Sequence, residues 1–413
     1  MTRARQPERA MGHLEVPWDI NVVDPRDGRG RRHGHHGLLN ALVMALASGQ
    51  HTLRAVESLV EDVSPRARRK LGLPRKVSDS TLYRLLTGHN PEGFRETVWT
   101  QLEGWWKSGL VSNDVVPGGV VAFDGKGAWS STTTEVAGAK VSSCDGDGTK
   151  LWMLGSLRAV LTSSSATPCL DMELIAHKDA ESPSFRVVFE RLCASMGRRF
   201  RIVTGDAAFT ARENAALVRE HGKHYVFALK GNQPALLELA RVRLQAPFFE
   251  LRTEERGSGQ VVTREFSRAT VAHDDDVLLL KGARQLWLIR QTTLVPGCVA
   301  TVDERYFVTS LHPEEVTASA ALRLVRLHWG IENGHNWTMD CILDEDASQP
   351  CQQSRDSIEV VTWLRILALN ILATWRARLP LKDGLPQPWR RVMQRLRDLV
   401  VLLGRLEVLV QPV

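Results

Sequence analysis

The stretch Val120-Val121-Ala122-Phe123-Asp124-Gly125-Lys126 is an apolar run that stops on an acid beside a permissive glycine and a cation. Its composition reads as a buried strand that delivers a carboxylate at its tip. Arg201-Ile202-Val203-Thr204-Gly205-Asp206-Ala207 repeats the design, and the helical pattern Ala211 to His221 follows it. A third acid, Glu332, sits in Leu322-Arg323-Leu324-Val325-Arg326-Leu327-His328-Trp329-Gly330-Ile331-Glu332-Asn333, where the apolar spacing is that of a helix.

Two strand-end aspartates and one helical glutamate can converge on a pair of divalent ions. Magnesium takes hard oxygen ligands and keeps several waters, so one or two carboxylates per ion suffice and no protein cage is required. Two such ions about 3.5 to 4 Å apart activate the attacking oxygen and stabilise the leaving oxygen of an in-line displacement at phosphorus. The pattern therefore nominates Asp124, Asp206 and Glu332 as catalytic and metal-binding residues, with Mg²⁺ as cofactor and Mn²⁺ able to replace it. A single Asp-Gly is more often a turn than a ligand. The weight lies in the ordered set, because each acid follows or occupies the kind of element the chemistry needs.

The chain has 413 residues, 43% hydrophobic and 24% charged, an ordinary balance for a globular protein. A net charge of +6 favours a polyanionic partner. Arg3, Arg5, Arg9, Arg26, Arg29, Arg31 and Arg32 form one basic cluster, and Arg66, Arg68, Arg69, Lys70, Arg75 and Lys76 a second; either can be a solvated surface or a phosphate contact. Cys144, Cys169, Cys193, Cys298, Cys341 and Cys351 show no zinc-site spacing and read as reduced thiols. His33, His35 and His36 lack acids or thiols beside them and read as a lead-in to the next helix. The apolar run Leu38 to Ala47 is too short to span a membrane, and no signal-peptide pattern precedes it, so a cytoplasmic protein with no membrane partner is expected.

Residues 1–36 form the basic lead-in. Residues 37–115 read as a helical domain, with Leu38 to Ser48, Leu53 to Glu61, Ser80 to Leu86 and Phe94 to Ser108 carrying three-four spacing. Ser78 or Asp79 can cap the helix that presents Tyr83 and Arg84, in a setting like the second helix of a helix-turn-helix; a plain bundle is the alternative. Pro117-Gly118-Gly119 marks the boundary. Beyond it come strands Val120 to Asp124, Leu151 to Leu161 and Leu170 to His177, helix Phe185 to Met196, strand Phe200 to Asp206, a helix, and strand Tyr225 to Leu229. Three meandering strands and then alternating helix and strand is the RNase H-like order. Asp206 and Glu332 are 126 residues apart, whereas a helix, a strand and a second helix need about 40 to 50. Alternating runs at Phe248 to Arg252, Val261 to Ala272, Val277 to Leu280 and Gln285 to Leu294 indicate a β-rich insertion over 248–305. The expected fold is thus α/β: an RNase H-like catalytic core over 116–247 and 306–346 with that β-rich insertion, a helical N-terminal domain before it, and a C-terminal helical region over 347–413 whose helices Asp356 to Arg378 and Trp389 to Leu406 read as amphipathic.

These motifs resemble the bacterial insertion-sequence transposases of the ISAs type, which include the H-repeat-associated proteins, within the DDE transposase superfamily. The most specific pieces are Thr204-Gly205-Asp206-Ala207, Tyr225 with Leu229-Lys230-Gly231-Asn232-Gln233, and Arg326 to Asn333 continuing to His335, Trp337, Asp340, Glu345 and Asp346. The resemblance implies that Asp124, Asp206 and Glu332 are the DDE triad, that Mg²⁺ is the metal, and that the DNA substrate carries the terminal inverted repeats of a mobile element. It further implies a homodimer in the active complex and transfer of the freed end to target DNA. A domesticated, non-mobile DNA-binding protein on the same fold is the other reading. The chain departs from the pattern at Trp129, Ala180, Ala208 and Phe209, and it has Val325, His328 and Met339 where relatives place Tyr, Arg and Lys around the glutamate.

Around the triad, Lys126, Lys230 and Arg326 are candidate phosphate contacts, with a structural salt bridge as the alternative. Asn232 and Gln233 can hold DNA or cap the helix that begins at Pro234. Trp329, three residues before Glu332, can stack a base or pack in the core; Trp287 in the insertion reads as core. His328 and Asn333, which flank the glutamate, complete the DNA-facing set with Tyr83 and Arg84.

Overall fold

In a computed structural model of the chain, the described residues are 20, 22–143, 148–176, 181–257, 259–271, 280–346 and 354–402. The centre is a mixed sheet. Its strands are β1 (Val120–Ser131), β2 (Lys140–Ser143), β3 (Lys150–Leu161), β4 (Cys169–Ile175), β5 (Ile202–Gly205), β6 (His224–Leu229), β7 (Leu251–Gly257), β8 (Gln260–Thr270), β9 (Gln285–Leu294) and β10 (Thr301–Thr309). The path is β2-β3-β1-β5-β6-β10-β9-β8-β7, with β4 also on β3. Antiparallel β1–β3 and β3–β4 pairs and parallel β1–β5 and β5–β6 pairs make the inner order β4-β3-β1-β5-β6. That is the RNase H-like arrangement the element order predicts.

The inserted strands do not form a separate lobe. β10 pairs antiparallel with β6, and β9, β8 and β7 continue the meander outward, so the insertion widens the sheet at its β6 side. Trp287 on β9 is fully buried and meets Phe266 edge-on at 5.7 Å, as its core reading requires. Of the expected run Val277 to Leu280, only Leu280 falls within the described residues.

Among the described residues, the α-helices α1 (His35–Ala47), α2 (Leu53–Asp62), α3 (Pro65–Leu71), α4 (Asp79–Gly88) and α5 (Glu92–Lys107) precede the sheet. Ser78 caps α4 by accepting from Thr81 N–H, and Leu82, Leu85 and Leu86 turn inward while Arg84 is exposed and Tyr83 half-buried. One buried cluster runs from Leu38 of α1 through Phe123 of β1 to Val400 near the end of the described chain. The helices are also bolted to the sheet by polar contacts. Arg95 Nε donates to Asp171 Oδ1 at 3.0 Å, and Trp99 Nε1 donates to the Leu170 carbonyl at 2.9 Å.

Behind the sheet come α6 (Glu181–Met196), α7 (Arg212–Glu220) and α8 (Pro234–Arg243), followed later by α9 (Ala318–Gly330), a π-helical turn (Ile331–Asn336), α10 (Trp337–Cys341), α11 (Arg355–Arg376) and α12 (Trp389–Leu402). The sequence predicts an amphipathic α11, but the helix is buried almost all round. It lies between the N-terminal helices and the sheet, which is why so few polar side chains interrupt it. It is long and apolar enough to cross a membrane, and 94% of that stretch is buried within the protein.

The two faces of the sheet carry different helices. Phe123 packs on Phe185 and Phe189 of α6, whereas Val120, Ile202 and Val226 share a cluster with Leu322 and Val325 of α9. Because strand side chains alternate, Asp124 shares its face with Val120 and Asp206 shares its face with Ile202. Both aspartates therefore belong to the face that α9 covers.

Candidate active site

β1 and β5 run parallel with Phe123 opposite Gly205. Asp124 and Asp206, each one residue further on, stand side by side where that pairing ends. Asp124 is 8% exposed and Asp206 half-buried. Asp206 caps the short turn Ala207–Phe209 by accepting from Ala208 N–H at 2.8 Å. The loop beyond is pinned from β6 and the start of α8: Asn232 Nδ2 donates to the Ala207 carbonyl at 2.6 Å, and Gln233 Nε2 to the Thr210 carbonyl at 2.8 Å. Both amides thus spend donors on the Asp206 loop, and the Gln233 side chain makes no cap bond to α8. Lys230, two residues before Asn232, is exposed.

The third acid arrives on a helix whose geometry the periodicity did not reveal. Glu332 lies in the π turn, and His328, Glu332 and Asn336 follow one another at intervals of four. Four residues of α-helix overshoot a full turn by about 40°, whereas four residues of the wider π turn fall short of one. The two offsets oppose each other, so the three side chains form one line. Both ends of that line are fastened to the strands. His328 Nδ1 lies 3.3 Å from Thr204 Oγ1 on β5, and Asn336 Nδ2 donates to Asp124 Oδ2 at 2.8 Å. Glu332, in the middle of that line, is exposed. Burial pushes the His328 pKa down to about 4, with Lys230 adding to the shift and Asp206 opposing it, so its ring is neutral at pH 7.

The remaining expected site residues separate into two groups. The Lys126 side chain is 6% exposed, and its ammonium group meets three carboxylates: Asp340, Glu345 at 3.3 Å and Asp346 at 3.2 Å. Glu345 is in turn held by Arg158 Nη2 at 2.7 and 2.8 Å. Burial alone would raise the Glu345 pKa; Arg158, Lys126 and Arg365 outweigh it and hold the group below its usual value. Arg326 bonds Glu255 of β7 at 2.5 Å and so ties α9 to the insertion. Lys126 and Arg326 therefore show the structural salt bridge that was the alternative to phosphate contact. Trp329 is half-buried with the Arg305 guanidinium 4.5 Å from its ring, while Asn333 is exposed beside Glu332. Tyr83 and Arg84 belong to α4 among the N-terminal helices, not to the strand-end site.

Sequence reading missed Asn336 as the partner of Asp124 and Thr204 as the partner of His328. The spacing of four from Glu332 to Asn336 was a usable signal, whereas the Thr204–His328 contact depends wholly on how α9 crosses β5. Glu181, at the start of α6, is buried on the opposite face of β1, against Gly125.

Among the described residues no three His, Cys, Asp or Glu side chains converge into a ready-made metal cage. Asp124 and Asp206, side by side where the β1–β5 pairing ends, offer hard oxygen donors of the kind magnesium accepts with water completing its shell, and Glu332 is an exposed carboxylate on the π turn. Asn336 Oδ1, buried beside Asp124 without a hydrogen-bond partner, adds a polar acceptor to the same spot.

Residues 136–371, more than half of the chain, match the family described as transposase DDE domain. The chain belongs to that family. Asp206 and Glu332 fall inside the match, and Asp124 lies twelve residues before it. Two similar Escherichia coli K12 proteins are named "Putative protein YbfL" and "H repeat-associated putative transposase YhhI". They are 26% and 25% identical to this chain over 205 residues, which is 46% of this chain and 51% of each relative. The match thus spans about half the length of these curated relatives. Among solved structures, a piggyBac transposase synaptic complex with hairpin DNA aligns at 10% identity and a TM-score of 0.41, covering 91% of this chain and 72% of that one. The strand order, not this score, is what fixes the fold.

Proposed function

We propose that the protein is a DNA transposase that binds the terminal inverted repeats of an insertion sequence and catalyses metal-dependent strand cleavage and strand transfer. The observation that carries this reading is the line His328–Glu332–Asn336, fastened to β5 at one end and to Asp124 at the other. A carboxylate carried on that line toward Asp124 and Asp206 would suit a two-metal phosphoryl transfer. Asp124, Asp206 and Glu332 would hold Mg²⁺ or Mn²⁺, which when bound supplies charge neutralisation and activation of the attacking oxygen. The chain's own part is to fix the acids: the Asn232 and Gln233 tethers hold the Asp206 loop, and Asn336 orients Asp124.

DNA contacts follow from what is exposed. Lys230 and Asn333, the latter next to Glu332 in sequence, are exposed, while Arg84 on α4, Arg66 and Arg69 on α3, and Arg75 in the segment between these helices offer exposed cations in the N-terminal region. The element ends are held by a homodimer, and the freed 3′ end is joined to target DNA. Cleavage of duplexes bearing the repeats that flank the coding region tests the reading. Cleavage should need Mg²⁺ or Mn²⁺ and fall to background in Asp124→Asn, Asp206→Asn and Glu332→Gln, with DNA binding retained. A folded wild-type protein that binds these repeats yet never cuts them would indicate a non-mobile DNA-binding protein instead.

A further inference from the structure

We infer that Asn336 is a positioning residue for the metal site, with its two amide atoms doing separate jobs. The inference rests on the metal-dependent reading above. Asn336 is 8% exposed and lies at the end of the π turn, four residues after Glu332. Its Nδ2 donates to Asp124 Oδ2 at 2.8 Å. Only the nitrogen can face a carboxylate oxygen, so the amide orientation is fixed and Oδ1 is the remaining atom. That oxygen is buried and has no hydrogen-bond partner. A buried acceptor left without a donor costs about 1 to 3 kcal/mol, which a folded chain tolerates where a ligand supplies the missing donor.

The donor that fits is a water bound to a divalent cation held by Asp124. Such a water is a stronger donor than bulk water, and magnesium and manganese retain waters in carboxylate sites. Nδ2 holds the carboxylate in one rotamer, and Oδ1 would accept a hydrogen bond from a water of the bound cation. The two bonds act together, since Nδ2 restrains the Asp124 carboxylate while Oδ1 serves the same cation's hydration shell. The π turn is part of the device, because it brings position 336 back onto the line of His328 and Glu332.

Mn²⁺ binding to the full chain without DNA tests this, read by titration calorimetry and by the melting temperature with and without Mn²⁺. Asn336→Leu keeps the volume and removes both polar atoms. It should leave the metal-free melting temperature within a few degrees of wild type and weaken Mn²⁺ binding about tenfold, the scale on which residues behind a metal ligand act. Asn336→His, which keeps a ring N–H toward Asp124, should recover most of the loss. Should leucine not be housed, Asn336→Ala carries the same comparison. Asp124→Asn is the control: if it binds Mn²⁺ as wild type does, the metal assignment of Asp124 fails. If Asp124→Asn loses Mn²⁺ while Asn336→Leu or Asn336→Ala binds it like wild type, or if the histidine variant is no better than leucine, the role given to Asn336 alone is overturned.

Discussion

His328 and Thr204 meet at 3.3 Å, Nδ1 to Oγ1, and both are buried. This contact sets where the last turn of α9 meets β5, two residues before Asp206, and so fastens the chain just before the π turn that carries Glu332. Thr204→Val keeps the shape and removes the hydroxyl. It should destabilise the protein by about 1 to 3 kcal/mol, the cost of a buried polar group left unpaired. Strand cleavage should fall with DNA affinity unchanged. Urea denaturation with cleavage and binding assays on one preparation tests it; unchanged cleavage would show that the contact does not set the site.

The buried ion cluster leads to a second expectation. Arg158, Lys126 and Arg365 surround Glu345, and removing its charge leaves buried cations uncompensated. Glu345→Gln should cost about 3 to 5 kcal/mol. A loss below 1 kcal/mol in chemical denaturation would mean that water reaches the cluster and screens it.

Lys126 and Lys230 should behave oppositely on DNA. Each phosphate neutralised contributes about 0.9 to the slope of log affinity against log salt on duplex DNA. Lys230→Ala should flatten that slope by about one unit with little change in melting temperature. Lys126→Met should lower the melting temperature and leave the slope alone, because its ammonium is committed to Asp340, Glu345 and Asp346. The reverse result would reassign both lysines.

Gly125 has no room for a side chain. A methyl group there would stand 1.8 Å from Glu181 Oε1 and 2.2 Å from its carboxyl carbon. Gly125→Ala should therefore destabilise by about 1 to 3 kcal/mol, as overpacked sites do. In a double-mutant cycle with Glu181→Ala the two losses should sum to more than the double mutant shows. Strict additivity would mean that the strand shifts to make space.

Stability should also fall in mild acid. Burial pushes His328 and His89 down to about 4 and His335 to about 3. Between these values and the ordinary 6.5, the unfolded chain binds protons that the folded one refuses, so stability is full above about pH 6.5 and is lost as pH falls toward 4. Each histidine contributes about 1.4 kcal/mol per pH unit inside that window. Denaturation midpoints at pH 7, 6 and 5 should drop steadily, and His335→Leu should make the decline shallower. A variant that declines as steeply as wild type would show that His335 takes its proton without unfolding.

The sequence by itself determined the inner sheet and two of the acids' addresses. Apolar runs leading into Asp124 and Asp206 are strand signals because a strand buried on both faces draws β-branched and aromatic residues; β1 nevertheless runs on to Ser131 with Asp124 paired to Arg158, so that acid marks the end of the β1–β5 pairing and not of the strand. The excess length between Asp206 and Glu332 likewise announced an insertion, since chain that the core does not need must go elsewhere. Tertiary structure alone decided that the insertion joins the same sheet through β10 and β6, because strand pairing at an edge is set by partners distant in sequence. It also decided that α11 is buried on every side and that Glu332 rides a π turn. Lys126 shows the division most plainly. Its position beside Asp124 suggests a phosphate contact, yet the carboxylates that claim it lie more than 200 residues away and become neighbours only in the folded chain.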